Sequence, residues 1–322
     1  MTLYLTEAEV NEVLTMELAL ETVEQAFSLL SDGGATNPPR SRIRLPDGGL
    51  FNFMCAAAPG AGVMGLKAYG VAPGNPVKFY VQLFSTETGE LLALLEAGDL
   101  GQVRTGAASG VATKYMARED SATVGVIGSG YQARTQLEAV CGVRPIKSAR
   151  VFSRNPERRE RFATRMSERL GIDISPVDSG EECVADVDVV ITMTSTNRPV
   201  LNGEWLSEGT HINAAGANHW MRRELDGDAV RRSAVIVTDD IEQAKMECGD
   251  LIYPAELGSI RWEQVRSLAD VVGGTFPGRN SDSDITLFES QGLAVQDITT
   301  GIRVYQLALE RGLGTKIHAQ DR

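Results

Sequence analysis

Gly128-Ser129-Gly130-Tyr131-Gln132-Ala133 constrains this chain more than any other segment. It follows a strand-like run, Thr123–Ile127, and opens a helical pattern that continues to about Val140. Strand, glycine turn and helix in that order make the first half of a dinucleotide-binding unit. Gly128 permits the tight turn, Gly130 lets the backbone approach a pyrophosphate, and Ala133 allows close helix–strand contact. The helix N-terminus offers free N–H groups to the anion. The competing reading is a tight turn that holds no ligand.

The residues that follow extend this pattern. A second strand, Ala149–Ser153, precedes a charged helix from about Pro156 to Leu170. Val187–Met193, His211–Ala215 and Ala234–Thr238 are short apolar runs of the kind found in strands buried on both faces. Strands alternating with helices imply a parallel sheet covered on both sides. At the end of the second strand, Ser153-Arg154-Asn155 carries no carboxylate. An NAD site usually places one there, on the ribose hydroxyls, whereas a guanidinium pairs with a 2′-phosphate. Arg154 therefore tilts the expected cofactor toward NADP(H), with NAD(H) the alternative; a surface arginine at a helix start is the plainer reading. The helix beyond, Glu157 to Arg165, mixes both charge signs and reads as a solvated face rather than a nucleic-acid site.

The first hundred residues have a different rhythm. Thr6-Glu7-Ala8-Glu9 has capping-box spacing, and Met16, Leu20, Val23, Phe27 and Leu30 recur as one apolar helix face stopped by Asp32-Gly33-Gly34. From Arg42 to Glu96 the period becomes two. Strands are expected at Ile43–Leu45, Leu50–Met54, Leu66–Val71, Val77–Phe84 and Leu91–Leu95, the last two joined as a hairpin. Turn signals at Asp47-Gly48-Gly49, Pro73–Pro76 and Glu87–Glu90 separate them. The Gly-, Ala- and Ser-rich stretch from Gly98 to Tyr115 reads as a tightly packed connector helix. A final helix, about Gly292 to Gly312, is expected to return to this first domain.

A length of 322 residues suits two domains. Asp plus Glu number 43 against 31 Lys plus Arg, and the net charge of -12 argues against nucleic acid or an anionic membrane as partner. No apolar run approaches a membrane span, and the first residues lack the pattern of a signal peptide. Cys55, Cys141, Cys183 and Cys248 are scattered, as expected of reduced thiols in a cytoplasmic protein. His211, His219 and His318 are too few and too dispersed to suggest a metal site.

Val103-Arg104-Thr105-Gly106-Ala107-Ala108-Ser109 followed by Val126–Ala133 resembles the ornithine cyclodeaminase/mu-crystallin family. The resemblance extends to Pro39-Arg40, Gly65-Leu66-Lys67, Gly216-Ala217-Asn218, Arg223-Glu224-Leu225 and Ile285–Ser290. It implies a homodimer with NAD(P) in a Rossmann-type parallel-sheet domain, and α-amino acids or their imines as substrates. The expected architecture is α/β: a Rossmann domain over 118–294, and an α+β substrate-binding and dimerisation domain built from both chain ends, 1–117 and 295–322. Carried over by the resemblance, Arg40 (or Arg42, in a competing alignment) and Lys67 would bind the substrate carboxylate and the reacting region. Arg104 and Thr105 would contact the pyrophosphate. Tyr131 and Gln132 would sit on the glycine loop, Ser153, Arg154 and Asn155 by the adenosine ribose, and Thr194 and Ser290 near the nicotinamide ribose. Chemistry supports the basic pair independently, because a small carboxylate beside a nicotinamide needs a cation to offset its desolvation. A desolvated lysine can also exchange a proton near neutral pH.

One position departs from the family pattern. Where cyclodeaminases carry a proton-shuttling aspartate, this chain has Asn218. An amide hydrogen-bonds but does not shuttle protons. The departure favours an imine reductase or amino-acid dehydrogenase, with Lys67 supplying the proton and Asn218 orienting the substrate nitrogen. The alternatives are ornithine cyclodeaminase, with His219 as a substitute acid/base, and a non-catalytic NADPH-dependent small-molecule binder. Met54, Tyr69 and Trp220 are candidates for the side-chain pocket.

Overall fold

The computed structural model describes residues 2–46 and 48–317. Asp47 of the expected turn and His318 lie outside the described residues. In chain order the elements begin with β1 (Thr2–Leu5), α1 (Glu7–Val13), α2 (Met16–Ser31), β2 (Ser41–Arg44), β3 (Leu50–Ala58), β4 (Val63–Val71), β5 (Lys78–Ser85), β6 (Leu91–Glu96) and α3 (Gly98–Met116). There follow β7 (Thr123–Ile127), α4 (Tyr131–Val143), β8 (Ser148–Phe152), α5 (Pro156–Leu170), β9 (Asp173–Pro176), α6 (Gly180–Val184), β10 (Val189–Thr192) and β11 (His211–Ala214). The remainder is α7 (Gly227–Arg232), β12 (Ser233–Thr238), α8 (Ile241–Glu247), α9 (Gly249–Glu256), β13 (Val265–Ser267), α10 (Leu268–Val272), β14 (Ile285–Glu289), α11 (Ala294–Arg311) and β15 (Thr315–Ile317).

The chain divides into two compact units, one running to Arg104 and resuming at Gly292, the other from Thr105 to Gln291. In the first, seven strands form a sheet in the order β15-β1-β6-β5-β4-β3-β2. Strands β2 to β6 are antiparallel neighbours, with the expected hairpin between β5 and β6. Strand β1, too short for its alternation to stand out in sequence, pairs parallel to β6. The capping box at Thr6 forms, with Thr6 N–H donating to Glu9 Oε2 at 2.9 Å. The expected first helix is in fact two, because Thr15 caps a second one by accepting from Leu18 N–H. Helix α11 lies across β3, β4 and β5 and against α2.

In the second unit, eight strands, all parallel, run in the order β13-β12-β14-β11-β10-β7-β8-β9. Strand β10 shows why these runs are apolar without a break. Val190 enters the core on one face, with Ile212, Ile236 and Leu251. Val189 and Ile191 enter the core on the other, with Leu137, Val140 and Phe162. The order reverses at β7, which feeds β8 on one side while β10 returns on the other. Such a switch point leaves a crevice at the carboxyl ends of the two strands.

Helix α3 approaches its neighbours closely, as its small residues suggest. A Cβ on Gly106 would lie 2.4 Å from the Thr135 carbonyl oxygen of α4. Asn213 Nδ2 donates to Thr113 Oγ1, and Thr286 Oγ1 donates to the Met116 carbonyl. His211, wholly buried between Thr286 and Asn213, is pushed down to about 3 by burial and then by Arg279. It is a neutral core residue. Burial likewise pushes the Cys141 and Cys183 thiols up to about 12, which leaves them unreactive. No helix among the described residues is long and apolar enough to cross a membrane.

Gly106→Ala should be destabilising despite alanine's better helix propensity, because the methyl meets backbone. Overpacking of this kind costs about 1–3 kcal/mol, a melting-temperature fall of several degrees by calorimetry.

Candidate active site

The glycine loop sits beside the switch point. Gly128 has φ +119°, and a Cβ there would lie 2.3 Å from the Met193 carbonyl oxygen, just beyond β10. Conformation and packing both demand glycine. Gly130 is different. Its φ of -81° and ψ of -173° suit any residue, and a Cβ there would meet nothing within 4 Å. The packing of the described residues does not require that glycine. It caps α4 with no side-chain hydrogen bond, and the first turn holds no acidic residue. The helix N–H groups are thus presented to an anion. Ala133 is fully buried, Tyr131 is 49 % exposed, and Gln132 has a buried Oε1 with no hydrogen-bond partner.

The other residues expected at the dinucleotide lie after the strands on either side. Beyond β8, Ser153 Oγ accepts from Ser129 Oγ at 2.8 Å, which joins the second strand to the glycine loop. Asn155 is the N-cap of α5, its Oδ1 accepting from Arg158 N–H at 2.9 Å. Arg154 is exposed, and no carboxylate stands at the end of this strand. Thr194 follows β10, and both its N–H and its hydroxyl donate to Glu224. Ser290 follows β14, buried, with its Oγ 3.5 Å from Asp239 Oδ2. Asn218 follows β11 and is partly buried; beside it His219 stacks on Trp220 and accepts the Met221 N–H. Thr105, on α3, accepts a bond from Gln136 of α4 through its carbonyl.

The basic residues of the first unit form a separate cluster. Lys67 points from β4 into the core, only 4 % exposed. Its Nζ lies 2.9 Å from Asp297 Oδ1 on α11 and 5.3 Å from the centre of the Phe79 ring. Arg104 Nε donates to the same Asp297 oxygen at 3.0 Å, and its Nη1 to Gln296 Oε1 at 2.8 Å. Arg40 donates from Nη2 to the Gly292 carbonyl at 3.3 Å. Two glycines make room for these groups. A Cβ on Gly101 would lie 2.6 Å from Lys67 Nζ, and one on Gly292 would lie 2.7 Å from Arg104 Nη1. Burial pushes Lys67 down to about 8; Asp297 opposes this, while Arg104 and Arg40 add to it. Three cations around one buried carboxylate leave a positive excess suited to a small anion.

The structure therefore brings Lys67, Arg40 and Arg104 together within the first unit. Arg42 sits on edge strand β2, opposite Asn52. Met54 pairs with Lys67 across the sheet, and Tyr69 packs on Phe79. Sequence reasoning missed Asp297, Gln296 and Gly101. The available signal was an aspartate inside an apolar helical run, Ala294 to Ile298, where an unpaired charge is costly. Among the described residues no cluster of His, Cys, Asp or Glu is placed to hold a metal ion.

Comparison with known proteins identifies one family and several solved relatives. The model of the ornithine cyclodeaminase/mu-crystallin family matches residues 1–312. The chain is 40 % identical to the Δ1-pyrroline-2-carboxylate reductase of Thermococcus litoralis, solved with NADH and L-proline; the match covers 98 % of this chain and all of that one, with a TM-score of 0.93. An archaeal alanine dehydrogenase dimer with bound NAD is 38 % identical, covered 98 % and 99 %, with a TM-score of 0.92. The iminosuccinate reductase of Paracoccus denitrificans, solved with NAD+, is 30 % identical over 99 % of each chain, with a TM-score of 0.93.

The two loop glycines should separate on substitution. Gly128→Ala should lower the melting temperature markedly. Gly130→Val should cost no more than a cap change, about 1 kcal/mol, yet weaken dinucleotide binding at least about tenfold in a fluorescence titration.

Proposed function

The chain belongs to the ornithine cyclodeaminase/mu-crystallin family, and on that premise we propose that it is an NAD(P)H-dependent oxidoreductase acting on an imino acid or ketimine. In reverse it would be an amino-acid dehydrogenase. The observation that carries this reading is the buried Lys67–Asp297–Arg104 cluster. It offers a site for a carboxylate and a proton donor whose affinity matches neutral pH.

Arg40 and Arg104 hold the substrate carboxylate, and Asn218 orients the reacting nitrogen. The nicotinamide, when bound, supplies a hydride to the imine carbon. Lys67 gives its proton to the nitrogen, so that C=N becomes CH–NH, and recovers a proton from solvent. Asp297 keeps the ammonium charged inside the protein until then. Cyclodeamination of ornithine is disfavoured, because Asn218 has no proton to exchange and His219 Nδ1 already accepts the Met221 N–H.

The glycine loop, Tyr131 and Gln132 receive the pyrophosphate with Thr105, and Ser153, Arg154 and Asn155 border the adenosine ribose. Thr194 and Ser290 serve the nicotinamide ribose. Exposed Arg154, with no carboxylate at the end of β8, favours NADP(H) over the NAD(H) of the related structures. Two copies associate, as in the archaeal alanine dehydrogenase. Ile43, Leu45 and Phe51, 41–52 % exposed on and beside edge strand β2, supply apolar surface for it. The protein acts in the cytoplasm.

The direct test is loss of NADPH or NADH absorbance with cyclic imino acids, and with 2-oxo acids plus amines. Turnover of none of these would sink the reading. Lys67→Met should lower kcat about 100-fold or more.

The pH dependence follows from the sign of the Lys67 shift. Reduction consumes the ammonium proton, which is present below about 8 and lost above it. The reductive rate should fall as pH rises through that value. Asp297→Asn removes the charge that favours the ammonium, so the fall should move to lower pH. An unmoved profile would detach Lys67 from proton delivery.

A further inference from the structure

The second unit holds a buried carboxylate that the chemistry above does not use. Glu224 is fully buried, and four donors converge on it. The Thr194 N–H and hydroxyl donate to Oε1 at 2.5 and 2.6 Å. The Thr192 hydroxyl and the Gly216 N–H donate to Oε2 at 3.0 and 2.8 Å. We propose that Glu224 is a positioning residue that builds the nicotinamide end of the dinucleotide site, by tying the loop after β10 to the loop after β11. The proposal rests on the reading of Thr194 as a nicotinamide-ribose contact.

The surroundings fix Glu224 as firmly as Glu224 fixes the loops. The N–H groups of Glu224 and Leu225 both donate to Asp250 Oδ1 at 2.8 Å. The Glu224 carbonyl accepts from Val200 and Leu201. Gly249, which precedes Asp250 at the start of α9, has no room for a Cβ, since one would lie 2.0 Å from the Arg222 carbonyl oxygen. On the ligand side, a Cβ on Gly216 would lie 2.3 Å from the Thr194 carbonyl oxygen and 2.6 Å from Glu224 Oε2. The Met193 carbonyl meets Gly128 in the same way. The loops after β7, β10 and β11 are thus stacked backbone against backbone, and Glu224 ties the last two together.

All four contacts to Glu224 come from donors, so its two oxygens only accept, as a carboxylate does. Burial pushes its carboxyl up, and the four hydrogen bonds act against that. Neighbouring Asp250 is pushed up to about 8 by burial and then by Glu224 itself. The bonding also sets the polarity of Thr194. With its hydroxyl proton committed to Glu224, Thr194 Oγ1 has only lone pairs to offer. It would receive a proton from a ribose hydroxyl and not donate one. Glutamine is no substitute at 224. One of its two ends is an NH2 group, and whichever way the amide turns, that group faces a backbone N–H of Thr194 or Gly216.

The test is titration of wild type and variants with two probes: the reduced dinucleotide that wild type prefers, and its adenine half alone (ADP or 2′,5′-ADP). Glu224→Gln should raise Kd and KM for the dinucleotide about tenfold or more, while the adenine half binds within about twofold of wild type. Thr194→Ser, which keeps the hydroxyl, should resemble wild type; Thr192→Val, which removes one donor, should weaken the dinucleotide a few-fold. Unchanged dinucleotide affinity in Glu224→Gln, or equal loss of both probes, would overturn the proposal. If Glu224→Gln fails to fold by circular dichroism, Thr192→Val and Thr194→Val carry the same expected split, and its absence in both overturns the proposal. A wild type that binds neither probe removes the dinucleotide reading itself; a wild type that binds both, with Glu224→Gln identical to it, removes only the role of Glu224.

Discussion

A lysine held at 4 % exposure needs a carboxylate, and Asp297 is that carboxylate. One oxygen of Asp297 takes both the Lys67 ammonium and the Arg104 guanidinium, while the other is buried with no hydrogen-bond partner. The return of helix α11 to the first sheet brings this carboxylate to the cations, and Gly101 and Gly292 clear space for them. Without Asp297 two cations would face each other in a dry interior, and the lysine would lose its proton more readily. The pair is worth little as a stabilising contact, because desolvation offsets most of the attraction. Its value lies in the proton affinity it sets.

The second unit solves the converse problem. There a carboxylate is surrounded by donors rather than by cations, and its partners are loop backbone and hydroxyls rather than charged side chains. Such an anion has no proton to give and no cation to hold. What it contributes is geometry, because each N–H turned toward Glu224 is a loop dihedral no longer free to vary. In the proposed reaction the two buried acids divide the work: Asp297 tunes a proton, and Glu224 fixes a shape.

The parallel sheet and the glycine loop were legible because their signals are local. Unbroken apolar runs, a Gly-x-Gly turn and a following helix lie within a few residues of one another. The antiparallel strands of the first unit were legible for the same reason, down to the hairpin after Ser85. Lys67 was legible as a candidate through its family resemblance and the chemistry of a buried carboxylate. Its partner was not, since Asp297 lies 230 residues away and joins it only when the last helix crosses the sheet. The partners of Glu224 stayed hidden in a similar way, because they are two backbone amides and two threonine hydroxyls drawn from separate segments of the chain. Arg104 was legible through the same resemblance, but its bonds to Asp297 and Gln296 were not, because those residues come from the far end of the chain.

The acidic balance of the chain bears on what such a site can accept. A net charge of -12 sets a repulsive field for any polyanion that must be met over a broad surface. That field is screened within about 8–10 Å at physiological salt, and a buried cluster is governed by its nearest neighbours. Around Lys67 those neighbours are Arg40, Arg104 and one carboxylate, so the local balance is positive inside a negative protein.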